Sequence, residues 1–486
     1  MRTLLYSLAV VCCAAAPAWG AENVIQKQEG GLGQEIVSTA AEREALSLTI
    51  YNNNLALIKD KRRLHLPVGI STLALREVSA KIRPESALLT GGELDLLEQN
   101  FEYDLLTPFS LLSKYVGREV TILRQHPTTG EERAEQALVL SAGNNGVVLK
   151  VGDHIETGVH GRLVFPDVPA NLRDRPTLTL LVESALTGER EAELSYLSSG
   201  LSWQADYVAE LNPNDDRLNL GGWVTLTNES GANYPQARLQ LVAGDVHVVQ
   251  DARQENLEMM AAPTMAGAAR KAMVEEPMFE YHLYTLERPT TIADNQQKQV
   301  SLLQADDVAC RKEFILRGQD YYYRNQAGDL GTKLDVGIEV EIQNEKEAGL
   351  GLPLPAGVVR VYKKDSSGLL QFVGEDRIEH TPDREILRLR LGTAFDVTAE
   401  KKQTSFKKIA GTGPFNYSFE SSYELKVKNA KDETVEVKVL EPLPGDWKIM
   451  SESAPHSQET ARTASWLLKV PGKGTATLSY TALVRL

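Results

Sequence analysis

The chain has 486 residues, and its acidic side chains outnumber the basic ones 66 to 52, for a formal charge of −14. That balance disfavours nucleic acid and anionic membrane surfaces as partners, because both select basic proteins. The length is enough for about three domains, each able to bury a sizeable core.

Met1 to Gly20 reads as a cleavable export signal: Arg2 gives the positive start, Leu4 to Ala16 a short apolar core, and Ala18 and Gly20 the small residues that a signal peptidase selects. The apolar core is too short to span a bilayer, and no later apolar run reaches spanning length. The mature chain is therefore expected to be periplasmic or secreted and to lack a transmembrane segment. Cys12 and Cys13 leave with the signal, so only Cys310 remains and no intramolecular disulfide can form. Residues 21–45 are polar and carry Gly30, Gly31 and Gly33, which predicts a flexible leader with one helical turn near Ala40.

From Leu46 the hydrophobic period becomes two, as in Leu46, Leu48 and Ile50 and again in Leu64, Leu66 and Val68, with Asn52-Asn53-Asn54 as a turn between them. An N-terminal β-domain is expected over 46–175. Within it Phe109 to Tyr115, after Pro108, is the best helical candidate. Short runs separated by frequent turns over 113–170 suit a small inserted barrel of the SH3-like kind, whose closure would remove exposed edges. Strand patterning over 176–400 predicts a central β-sandwich. That sandwich is interrupted at 250–279, where Met259, Met260, Met265, Met273 and Met278 cluster without a settled period and a disordered insert is expected. Alternation over 401–486 predicts a C-terminal immunoglobulin-like sandwich, so the fold class is all-β and multi-domain.

The stretches Leu201 to Tyr207 (LSWQADY), Trp223 to Gly231 (WVTLTNESG), Leu352 to Lys364 (LPLPAGVVRVYKK), Phe372 to Pro382 (FVGEDRIEHTP), Leu391 to Val397 (LGTAFDV) and Val439 to Trp447 (VLEPLPGDW) resemble the DUF4139 domain family in order and spacing. The resemblance covers roughly Leu194 to the C-terminus. Leu97 to Leu106 (LEQNFEYDLL) is similar to the region that accompanies this domain in bacterial members. The resemblance implies a β-rich bacterial protein and brings no catalytic or binding residues with it.

The chain has no H-E-x-x-H, G-x-S-x-G, C-x-x-C or Walker-type phosphate loop. Two weaker constellations stand out. In an extended segment Asp376 and His380 share a face, as an oriented acid–base pair requires, although a hairpin with solvated and ion-paired charges is the expected structure. His154, Glu156 and His160 also share parity and offer two imidazoles and a carboxylate to a metal, but Gly158 interrupts them and no fourth ligand is evident. No cofactor is expected. Trp203, Tyr207 and Trp223 are expected in the core, and Trp447 is expected to be partly exposed. Together these features predict an exported, non-enzymatic binding or scaffolding protein of the bacterial cell envelope, whose partner is an envelope protein or a surface polymer and not nucleic acid. The alternatives are an envelope hydrolase or metal-dependent enzyme using the Asp376/His380 region, and an assembly or carrier protein using the Met-rich insert.

Overall fold

Alternating apolar side chains produce sheets almost throughout. The computed structural model describes residues 35–485 apart from 92, 103–104, 127–128, 144–145, 170–171, 245, 248–269, 272 and 411–416. The expected signal at 1–20 and most of the Met-rich stretch lie outside the described residues. The chain forms an all-β, multi-sheet fold, with one short α-helix among the described residues, at Pro108–Lys114 where the sequence predicts it. Thr107 caps that helix, accepting from Ser110 N at 3.0 Å, and Pro108 fills the first helical position where a missing N–H costs nothing.

Among the described residues three hydrophobic cores organise the molecule. The largest runs from Leu46 to Leu389 and takes residues from both sides of position 175. Strands from both sides also pair: Gly188–Ser198 lies antiparallel to Leu55–Leu66, and Tyr234–Ala243 lies parallel to Arg43–Tyr51. A second core lies between Phe314 and Val484. The long strands Gln296–Arg317 and Ile386–Ala410 run from one core into the other: Val300 and Leu389 pack in the first, Phe314 and Val397 in the second.

The third core belongs to residues 115–151 and departs from the expected barrel. Five strands lie in the order His154–Thr157, Gly146–Val151, Glu132–Gly143, Glu119–Gln125, Arg162–Val164, and the sheet does not close. The terminal strands have only 4 and 3 residues, and no ladder joins them among the described residues. Leu111 and Leu112 of the helix pack on this core together with Phe165, which covers apolar surface that closure would otherwise have hidden.

Two further expectations change. The leader is structured from Glu35 onward: Glu35–Ser38 pairs parallel with Gly69–Arg76, and a single turn at Ala40–Glu42 follows, held by a Thr39/Glu42 capping box. The expected disorder over 250–279 does not extend to its last part, because Met273–Met278 is a strand paired with Tyr281–Leu286. Met273 is 1% exposed in the largest core. Pro277 is tolerated because its strand is at the edge of an eight-stranded sheet, where no further ladder needs its N–H.

Candidate functional site

The Asp376/His380 segment forms the edge strand Leu370–Ile378 and the turn after it. Asp376 spends its carboxylate on backbone: Oδ1 accepts from Arg377 N and Oδ2 from Arg390 N, each at 2.8 Å. The second bond ties the edge strand to Ile386–Ala410. Gly374 makes that approach possible, since its φ is +152° and a Cβ there would lie 2.5 Å from Leu391 O. His380 is exposed, its Nδ1 accepts from Ala356 N at 3.2 Å, and its Nε2 lies 3.4 Å from Asn52 Nδ2. The partners of the carboxylate and of the imidazole are thus different groups.

Of the second constellation, His154 Nε2 meets Glu156 Oε1 at 3.0 Å, while the other carboxylate oxygen accepts from Arg124 Nη2 at 2.6 Å. The guanidinium holds the Glu156 carboxyl below its ordinary value, with the His154 contact adding to the effect. A carboxylate already neutralised by arginine is a poor cation ligand. His160 is exposed beyond the turn at Gly158. Among the described residues no three His, Cys, Asp or Glu side chains converge in a way that could hold a metal.

A more developed arrangement lies on the outward face of the largest sheet. Strands Leu370–Ile378, Gly357–Lys364, Leu201–Leu211, Arg217–Asn228 and Gln296–Arg317 are neighbours there, in that order. Inward positions alternate as Trp203, Ala205 and Tyr207 on one strand and Leu220, Val224 and Leu226 on the next, all buried. The buried rings are satisfied: Trp203 Nε1 donates to Val242 O at 3.3 Å and Tyr207 Oη to Pro355 O at 2.8 Å.

The outward positions build a polar row across all five strands. Gln299 Nε2 donates to Thr225 Oγ1 at 3.1 Å, and Thr225 Oγ1 donates to Asp206 Oδ2 at 2.8 Å. Arg360 Nη1 donates to Asp206 Oδ1 at 3.0 Å, and Arg360 Nε lies 3.2 Å from Glu375 Oε2. Trp223 stands directly opposite Asp206 in the antiparallel register and is 44% exposed. Two residues along, Gly221 contributes no side chain beside the ring and faces the exposed Val208. Tyr362, outward on its strand, meets exposed Phe372 edge-on with centroids 5.6 Å apart. The face therefore offers flat aromatic surface beside a row of fixed donors and acceptors, which suits recognition more than proton transfer.

The family model for a domain of unknown function, DUF4139, matches residues 192–486, more than half of the chain. The chain belongs to the DUF4139 family. No curated protein matches the chain. All five strands of the aromatic and polar face fall inside the DUF4139 match, as do Asp376 and His380, whereas His154, Glu156 and His160 lie before it.

Trp203 and Tyr207 are core residues as their parity predicts, but Trp223 is not. The alternation of Leu218, Leu220, Val224 and Leu226 already assigns Trp223 to the opposite face, so the signal for an outward ring was local and readable. Asp206 and Arg360 carry no comparable local signal, because the row that joins them exists only once five separate strands lie side by side.

Proposed function

We propose that the protein is an exported binding or scaffolding component of the cell envelope, and that the outward face around Trp223 is its recognition surface. The reading is carried by one observation: a half-exposed tryptophan beside a polar row that spans five strands. Aromatic rings next to fixed hydrogen-bonding groups are what a surface polymer or a partner protein would engage, the ring supplying area at low entropic cost and the row supplying orientation. The proposed location follows from the signal anatomy of Met1 to Gly20.

The test uses the exported chain, recovered by cell fractionation and checked by N-terminal sequencing for a start at Ala21. Wild type and Trp223→Ser are then sedimented with purified envelope polymer and, separately, with solubilised envelope proteins. Wild type is expected to bind one of the two and Trp223→Ser to lose most of that binding at unchanged thermal stability. Equal binding by the two proteins would remove the face from consideration, and a lipid-modified Cys12 or Cys13 as the first residue would make the protein membrane-anchored.

A further inference from the structure

Lys401 and Glu441 meet in the core of the C-terminal sandwich. They come from Ile386–Ala410 and Val435–Pro442, strands that have no ladder with each other, and each side chain is 1% exposed. Lys401 Nζ lies 2.6 Å from Glu441 Oε1. The other carboxylate oxygen accepts from Tyr323 Oη at 2.7 Å, and Tyr323 Oη is 2.8 Å from Tyr480 Oη. The rings of Tyr322 and Tyr423 lie 4.6 and 4.8 Å from the ammonium nitrogen. Gly318 closes the remaining side: a Cβ at that position would lie 2.1 Å from Glu441 Oε2.

Such a site is dry, and a dry ion pair is expensive. Desolvating both charges opposes folding before their attraction offsets it. Burial draws the Lys401 ammonium below its ordinary value against the opposing pull of Glu441. Proton transfer within the pair gives a neutral amine and a carboxylic acid held in contact, the two reactants of an amide condensation. Water, the product, is disfavoured in this aromatic enclosure, and an amide leaves no charge in the core. Proximity alone is worth a large share of the barrier to such a reaction.

We propose that Lys401 and Glu441 form an internal isopeptide bond that staples the C-terminal sandwich. The Lys401 Nζ–Glu441 Cδ bond forms and the Cδ–Oε2 bond breaks. Two of the three ammonium protons leave with Oε2 as water, one of them relayed by the Tyr323 hydroxyl, and no oxidant or co-reactant is consumed. The bond supplies a covalent cross-link in a chain whose one described cysteine, Cys310, is free.

Intact-mass measurement of the purified full chain, with its N-terminus sequenced, tests this directly. The expected mass is below the sequence mass by one water, and after digestion the peptides carrying Lys401 and Glu441 are recovered joined. Glu441→Gln is expected to give the same joined peptide by loss of one ammonia. Lys401→Met is expected to show the full sequence mass, and Tyr323→Phe a mixture of joined and separate peptides. A folded wild-type chain at its full sequence mass, with the two peptides separate, overturns the proposal.

Discussion

Asp60 shows how a single carboxylate can hold a segment in place. It is 1% exposed and receives Arg43 through Nε at 2.9 Å and Nη2 at 2.8 Å, while Arg62 Nη2 reaches it at 2.8 Å. Arg62 goes on to donate to Ser38 O at 2.9 Å and Arg76 O at 2.8 Å, so the carboxylate anchors a guanidinium that ties down the segment preceding the first core strand. Burial works to raise the Asp60 pKa, and the hydrogen bonds and charges of Arg43 and Arg62 outweigh it, leaving the group below its ordinary value. Its contribution is then present in full above the ordinary carboxylate range and is lost as pH falls through the lower folded value. Asp60→Asn would leave two buried guanidinium groups short of charge compensation and is expected to cost about 3–5 kcal/mol. Urea denaturation at neutral pH measures that loss. Repeating it in acid should show a shallower fall for the variant than for wild type, and parallel acid limbs would argue that Asp60 is not the group responsible.

At the scale of elements, the edge strand Met273–Met278 converts part of a methionine-rich stretch into core. Among the described residues its only ladder is to Tyr281–Leu286, and Met273 alone of its residues is fully buried, so the strand is held by one ladder and one anchor. Met273→Ala should cost about 2–5 kcal/mol, the range for truncating a buried long apolar side chain. The same substitution at exposed Met278 should change stability little, and thermal melts of the two variants compare them. Similar losses at both positions would mean that the strand is not anchored through Met273. The expectation of disorder failed here because Pro277 and the missing alternation after Met273 argue against a central strand, whereas an edge strand satisfies neither requirement strictly. The expected barrel failed for a related reason: short runs and frequent turns predict the number of strands, but closure depends on whether the two end strands can reach each other.

For the whole molecule, the strands Gln296–Arg317 and Ile386–Ala410 make the two larger cores mechanically continuous, since breaking either core frees backbone that the other needs. The open five-stranded sheet has its own core and, among the described residues, shares no strand ladder with the rest. Hydrogen exchange under mildly denaturing conditions should therefore release the amides of residues 119–164 first, and those of the two larger cores together at higher denaturant. Separate release of the second core would show that the long strands do not couple the cores.

The sequence by itself determined the all-β class, the short helix after Pro108, the burial of Trp203 and Tyr207 and the membership of residues 192–486 in a family. These features are local, because a period of two and a capped proline turn are written in consecutive residues. Only the tertiary structure decided that Asp376 serves the backbone of a neighbouring strand, that Trp223 stands beside a row from Gln299 to Glu375, and that Lys401 meets Glu441 among tyrosines. The physical reason is that alternation assigns each residue to a face of its strand and leaves its cross-strand neighbours unspecified. Those neighbours are chosen by pairings between distant segments, and the chemistry of this protein lies in those pairings.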